Sequence, residues 1–176
     1  MKRDIIKKVK KFVKEEYNKS NPLTKKGLKG HFELVENYAK ALLKKENADE
    51  EIVILSVWLH DIGTIKGYYK NHHISGAKIA EKFLLKLNYP KNKIEKVKHC
   101  ILVHRGSKPG KVKLKEAQIL INADAMAHFD EINLLLVLYK DKKELLKKLE
   151  RSYAKLSKRA KPLVKSKLEK ARRKLK

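Results

Sequence analysis

The sequence predicts an all-α protein, a compact helical bundle with basic helical N- and C-terminal flanks. Apolar residues recur at helical spacing in nearly every segment, no alternation of useful length reads as a strand, and Gly, Pro and Asn fall between the periodic stretches. With 176 residues the chain is the size of one compact domain and long enough to bury a core without disulfide support.

Asp4 is placed to cap a first helix whose stripe is Ile5, Ile6, Val9, Phe12 and Val13. Asn21-Pro22 and Gly27/Gly30 then break the chain. A second helix is expected from about His31 to Glu46, with His31, Leu34, Val35, Tyr38 and Leu42 on one face. The third, from about Asp49 to His60, is apolar nearly all round and should be the most buried. Asp61-Ile-Gly-Thr opens a loop through Gly67. Further helices are expected over residues 73–88, 91–104 and 115–128, with a loop at Arg105–Gly110. A seventh begins at Asp130 and carries Leu134, Leu135, Leu136, Val137 and Leu138. The segment from Lys140 is helical by pattern (Leu145, Leu146, Leu149, Tyr153, Leu156), and Pro162 marks a break before a last Lys/Arg-rich helix.

The formal net charge is +25, of which residues 1–30 supply +8 and residues 140–176 supply +13. This divides the chain into a basic N-terminal helix and loop packing on the core (1–30), a central core (31–140) and a basic helical extension (141–176). Such a field attracts anions, although a Lys-rich proteome with solvated helix faces is the plainer account of composition of this kind. The single cysteine, Cys100, excludes a disulfide framework and thiolate zinc sites, and suits a reducing cytoplasm. No apolar run is long enough to span a bilayer, and the charged start lacks the apolar stretch of a secretion signal.

Four ionisable residues fall on faces that should point inward. His31 shares its stripe with Leu34 and Val35; His60 and Asp61 follow Val57 and Trp58; Asp124 follows Leu120 and Ile121. Buried groups of this kind need partners or a counter-ion. A divalent cation held where helices converge would satisfy all four, His60 and Asp61 being about 100° apart around a helix end. Two imidazoles and two carboxylates suit Fe, Mn, Co, Ni or Zn. Taken singly, each of these residues also reads as a hydrogen-bonded core histidine or a capping carboxylate.

The order His31, then His60-Asp61, then Asp124 on successive helices resembles the HD-domain superfamily of metal-dependent phosphohydrolases. The resemblance covers about residues 28–140, and His60-Asp61-Ile-Gly after Leu-Ser-Val-Trp-Leu is similar to the motif that names the family. It implies that His31, His60, Asp61 and Asp124 hold a metal. Some members carry two further histidines and a second ion. Here His73 heads a face of Gly76, Ala77, Ala80 and Leu84, and His104 ends the stripe Ile94, Val97 and Ile101, so these two are favoured over His72 and His99, with Asp61 shared. Their alternative role is direct contact with an anionic substrate. His128, one turn beyond Asp124, is expected to support the site rather than ligate.

The ligands imply the chemistry: a cation activates water at neutral pH and neutralises a phosphoryl oxygen, and two ions stabilise attacking and leaving oxygens together. Asp61 is the catalytic candidate, as ligand and as a group orienting the water. Lys66, in a Gly-flanked loop at a spacing that departs from the family, and Arg105 are the candidates for phosphate binding. The resemblance makes a nucleotide or related phosphate ester the substrate, with Tyr68 and Tyr69 available to stack on a base. The alternative is a non-enzymatic nucleic-acid-binding protein using the basic flanks, which predicts salt-sensitive binding without turnover. The flanks have little interleaved aromatic character, which favours electrostatic attraction over base stacking. Attachment of the first helix to an anionic membrane surface ranks last, its apolar face being small.

Overall fold

The structure is a computed structural model that describes residues 2–105, 111–139 and 141–175. Among the described residues it is helical without strands, as the sequence predicts. Residues 106–110 of the expected loop after Arg105 lie outside the described residues. The helices are α1 (Lys2–Lys19), α2 (Pro22–Gly27), α3 (His31–Leu43), α4 (Glu50–Leu59), α5 (Ile62–Ile65), α6 (His72–Lys86), α7 (Lys91–Val103), α8 (Lys115–Asp130), α9 (Ile132–Leu138), α10 (Lys142–Lys155) and α11 (Lys161–Leu175).

Several boundaries differ from the sequence expectation for identifiable reasons. Asp4 sits inside the first turn of α1, where it pairs with Lys8 at 2.8 Å instead of capping the helix. The Asn21-Pro22 break starts the short helix α2: Asn21 accepts from the Thr24 amide at 2.9 Å, and Pro22 sits at a position that needs no N–H donor. Asp61-Ile-Gly-Thr, expected as a loop, winds into α5, so that α4 turns immediately into a second short helix. Pro162 lies in the first turn of α11 and the break precedes it, at Leu156–Ala160.

Helix α4 occupies the centre, and every residue from Glu51 to Leu59 is buried. Asp49 caps it by accepting from the amides of Glu51 and Ile52. The buried Glu51 is satisfied by Tyr89, which donates at 2.6 Å, and by Lys93 at 2.7 Å. Trp58 donates at 2.6 Å to the buried Glu36, which Lys10 and Lys40 neutralise. Each inward charge on this part of the core thus has both a hydrogen bond and a counter-charge, the condition for tolerating it there.

Both basic flanks contribute to the same core. Val9 and Val13 of α1, Leu145 and Leu149 of α10, and Val164 and Leu168 of α11 belong to one buried cluster with Ile52, Leu55 and Leu59 of α4. Helix α1 lies along α4, whereas α10 and α11 pack on α8.

A close approach of backbone to backbone joins α5 to the start of α6. A Cβ at Gly63 would lie 2.3 Å from the His72 carbonyl oxygen and 2.8 Å from its Cα. A Cβ at Gly76 would meet Gly63 N at 3.4 Å, an ordinary contact. Gly63→Ala is therefore expected to force α5 and α6 apart and cost about 1–3 kcal/mol of unfolding free energy. Gly76→Ala, inside a helix, is expected to be neutral or to stabilise by up to about 1 kcal/mol. Denaturant titration of the two variants checks both signs.

Candidate metal centre

Helix termini bring the ionisable side chains together. His31 begins α3, His60 directly follows α4, Asp61 precedes α5, His72 begins α6 and His104 directly follows α7; Asp124 alone comes from within a helix, α8. His31, His60, His104 and Asp124 are buried.

Two groups of donors result. One atom each from His31, His60 and Asp124, and one atom each from Asp61, His72 and His104, lie mutually within 4.8 Å. Asp61 connects the groups: its Oδ2 is 3.5 Å from His60 Nε2 and 4.0 Å from His31 Nε2, while its Oδ1 is 3.8 Å from His72 Nε2. Asp124 Oδ1 lies 3.6 Å from His31 Nε2 and 3.9 Å from His60 Nε2.

The outward ring nitrogens are all engaged. His60 Nδ1 donates to the Val57 carbonyl at 2.7 Å, His104 Nδ1 to the Ile101 carbonyl at 2.6 Å, and His72 Nδ1 to the Tyr69 carbonyl at 3.1 Å. His31 Nδ1 is 2.9 Å from a Glu131 carboxylate oxygen. A neutral imidazole that donates from Nδ1 presents its Nε2 lone pair, so His60, His72 and His104 in that form, and His31 once it has lost its proton, turn four lone pairs to the centre. His31 Nε2 and His60 Nε2 are 3.3 Å apart, a repulsive approach unless a proton or a cation lies between them. The donor chemistry therefore fits a cation: lone pairs and carboxylate oxygens converge, and carbonyls or a carboxylate orient the rings from behind.

The electrostatics of the cluster point the same way. Burial alone would lower the His31 pKa, but the hydrogen bond and charge of Glu131, followed by Asp124 and Asp61, raise it to about 9. Burial would raise Asp61, but the surrounding histidines hold it at about 2. Burial opposes ionisation of Asp124 too, and neighbouring positive charge, Lys155 included, still holds it well below the usual carboxylate range. His104 is pushed down to about 4 by burial and by the charge of His60.

The sequence-derived residues fare unequally. His31, His60, Asp61, Asp124 and His104 meet as expected, and Arg105 lines the same cleft. His73 does not join either group; His72 takes the place assigned to it. The small residues Gly76, Ala77 and Ala80 that favoured His73 do mark a buried face, but the site lies one position around the helix, about 100° away. The tight Gly63 contact is made to His72 and Ser75, and His72 Nε2 lies 3.8 Å from Asp61 Oδ1. Lys66 is turned away and pairs with Glu16 of α1, beside Lys19 and Ser20, so it lines a different cavity. Tyr69 lines the cleft, its hydroxyl held by Thr24 and Asn21, whereas Tyr68 is exposed to solvent.

Three residues at the centre were not found from sequence, and a fourth, His128, was given only a supporting role. Glu131 orients His31 across 100 residues of chain, a relation with no local signal. Lys148 and Lys155 come from α10 and line a cavity of about 330 Å³ with Asp61, Thr64, Tyr69, His72, His104, Arg105, Asp124 and His128. Lys148 donates to His128 Nε2 at 3.1 Å, and His128 Nδ1 is 3.1 Å from Ser152 Oγ. His128 thus spends both nitrogens on α10, and burial, then the Lys148 charge, keep it neutral. A second cavity of about 400 Å³ opens from the same floor and shares Asp61, Thr64, Tyr69, His128 and Lys148; its walls are apolar, with Leu23, Leu28, Leu135 and Leu138.

The HD domain family model matches residues 28–128. No curated protein and no solved structure gives a match. The matched segment runs from just before His31 to His128 and spans every residue of both donor groups. By that match over more than half of its length, the chain belongs to the HD-domain superfamily of metal-dependent phosphohydrolases.

Proposed function

We propose that this chain hydrolyses a nucleotide or related phosphate ester at a centre of one or two divalent transition-metal ions. The observation that carries the reading is the convergence of four imidazoles on two carboxylates, four of the six donors buried and two half-buried, in a cleft that also holds cationic side chains. His31, His60 and Asp124 would hold one ion, and Asp61, His72 and His104 a second, with Asp61 offering an oxygen to each. Divalent cations in such a site supply a nucleophile at neutral pH and draw charge off a phosphoryl oxygen. The mixed nitrogen and oxygen donors suit Fe, Mn, Co, Ni or Zn.

The chain's own groups do the positioning. Thr64 donates to Asp61 Oδ1 at 3.1 Å and limits rotation of the carboxylate that faces both donor groups. Asp61 is ionised throughout the neutral range, so it accepts protons from water without first losing one. Arg105 is anchored to the Lys70 carbonyl and lies at the cavity wall, where a guanidinium holds phosphoryl oxygens. The apolar cavity beside the donors is within the volume range of small-molecule sites and takes the organic part of the ester.

Purified protein is expected to contain transition metal and to hydrolyse members of a phosphate-ester panel when Mn, Fe, Co, Ni or Zn is supplied. Asp61→Ala, which removes the group common to both donor sets, is expected to lose bound metal and at least about 100-fold in turnover while keeping its helical circular-dichroism signal. Undiminished hydrolysis by Asp61→Ala would end the assignment. Metal binding is also expected to release a proton. His31 is protonated at pH 7 in the cation-free chain because its pKa of about 9 lies above that pH, whereas a ligand must be neutral. Affinity at this position should rise about tenfold per pH unit from about pH 6 to 8, and calorimetry in buffers of different ionisation enthalpy reads the proton directly.

A further inference from the structure

The cleft contains two cations that the family-matched segment does not supply. Lys148 and Lys155 lie beyond residue 128, on α10, and both line the cavity that holds Asp61, His72, His104 and Asp124. They sit seven residues apart, two turns along one helical face. Leu145, Leu149 and Ser152 of the same helix are buried, so packing aims this face at the cleft. The Lys148 ammonium is partly buried, makes its hydrogen bond to a neutral histidine, and forms no ion pair among the described residues. Burial opposes the charge on this ammonium, and the carboxylates of Asp124, Asp61 and Glu131 support it without pairing with it directly.

We infer that α10 provides the phosphate-oxygen subsite of this centre, with Lys148 and Lys155 lining the same cleft as Arg105, and that the substrate is a phosphate monoester. The inference rests on the hydrolytic reading above and specifies its substrate. Charge selects the monoester. One divalent ion leaves the carboxylates of Asp61, Asp124 and Glu131 with a single negative charge in excess. Arg105, Lys148 and Lys155 convert that to a surplus of two positive charges, and a second ion would add to it. A phosphate monoester carries about −1.5 to −2 at pH 7, whereas a diester carries a single charge. A monoester also presents three terminal oxygens, enough for the ion and for the cations of the cleft. The subsite depends on the extension folding back: a chain ending at the matched segment would keep all six metal-ligand candidates and lose two of the three cations.

The test uses the full-length, metal-loaded protein with inorganic phosphate, p-nitrophenyl phosphate and bis(p-nitrophenyl) phosphate. The parent is expected to prefer the monoester in kcat/KM. Lys148→Met and Lys155→Met are each expected to weaken phosphate binding, measured by calorimetry, about 10- to 100-fold, and to raise KM for the monoester correspondingly, with metal content unchanged. Lys148→Arg, which keeps the charge, is expected to recover most of the loss and so separates charge from packing. Ester hydrolysis with phosphate binding and KM unchanged in both Met variants would overturn the subsite and leave the hydrolytic reading intact. Loss of phosphate binding in both variants, in a protein that turns over neither ester, would uphold the anion subsite and overturn the hydrolytic reading. A parent that prefers the diester would overturn the monoester assignment.

Discussion

Imidazole lone pairs and carboxylate oxygens are withdrawn from water at one point where six helices meet, and their mutual repulsion has to be neutralised there. The 3.3 Å approach of His31 Nε2 to His60 Nε2 is the sharpest expression of that constraint. Against the opposing effect of burial, Glu131, Asp124 and Asp61 raise the pKa of His31 to about 9, so the carboxylates favour a positive charge at this point. The hydrogen bonds behind the rings allow no easier arrangement, because each Nδ1 is committed to a carbonyl or a carboxylate.

The remainder of the fold serves that convergence. Five of the six donors sit at helix ends, where one residue's direction is set by where its helix starts or stops. A buried central helix, α4, fixes the position of His60, and its own charged neighbours Glu36 and Glu51 are neutralised locally. Gly63 lets α6 approach α5 closely enough for His72 to reach Asp61, a distance that any side chain at that position would increase. Helix positions, rather than flexible loops, therefore define the ligand geometry, as a preorganised site requires.

The extreme basicity of the chain acquires a more local meaning in this arrangement. Most of the C-terminal charge lies on the outer faces of α10 and α11, whose apolar faces are part of the core. Two of its lysines instead turn toward the carboxylates, and one of them holds His128 neutral. The extension is thus both a structural support for α8 and a source of positive potential at the cleft. A field focused by low-dielectric walls acts on a bound anion far more strongly than the same charges spread over a surface.

The sequence by itself determined the helical class, the central place of the third long helix and five of the six clustered ligand candidates. Those features are recorded in local periodicity: a polar residue in an apolar stripe reveals its own inward direction. It also contained the His60-Asp61 pair, whose adjacency places both side chains at one helix end. Tertiary structure alone decided the rest. His72 and His73 differ by one position at a helix start, and which of them faces Asp61 depends on the contact with Gly63 from another helix. Lys66 had a suitable distance from the motif along the chain, yet Glu16 of α1 takes its charge elsewhere. Glu131, Lys148 and Lys155 reach the centre across long stretches of sequence, and periodicity within one helix carries no information about which distant helix it will meet.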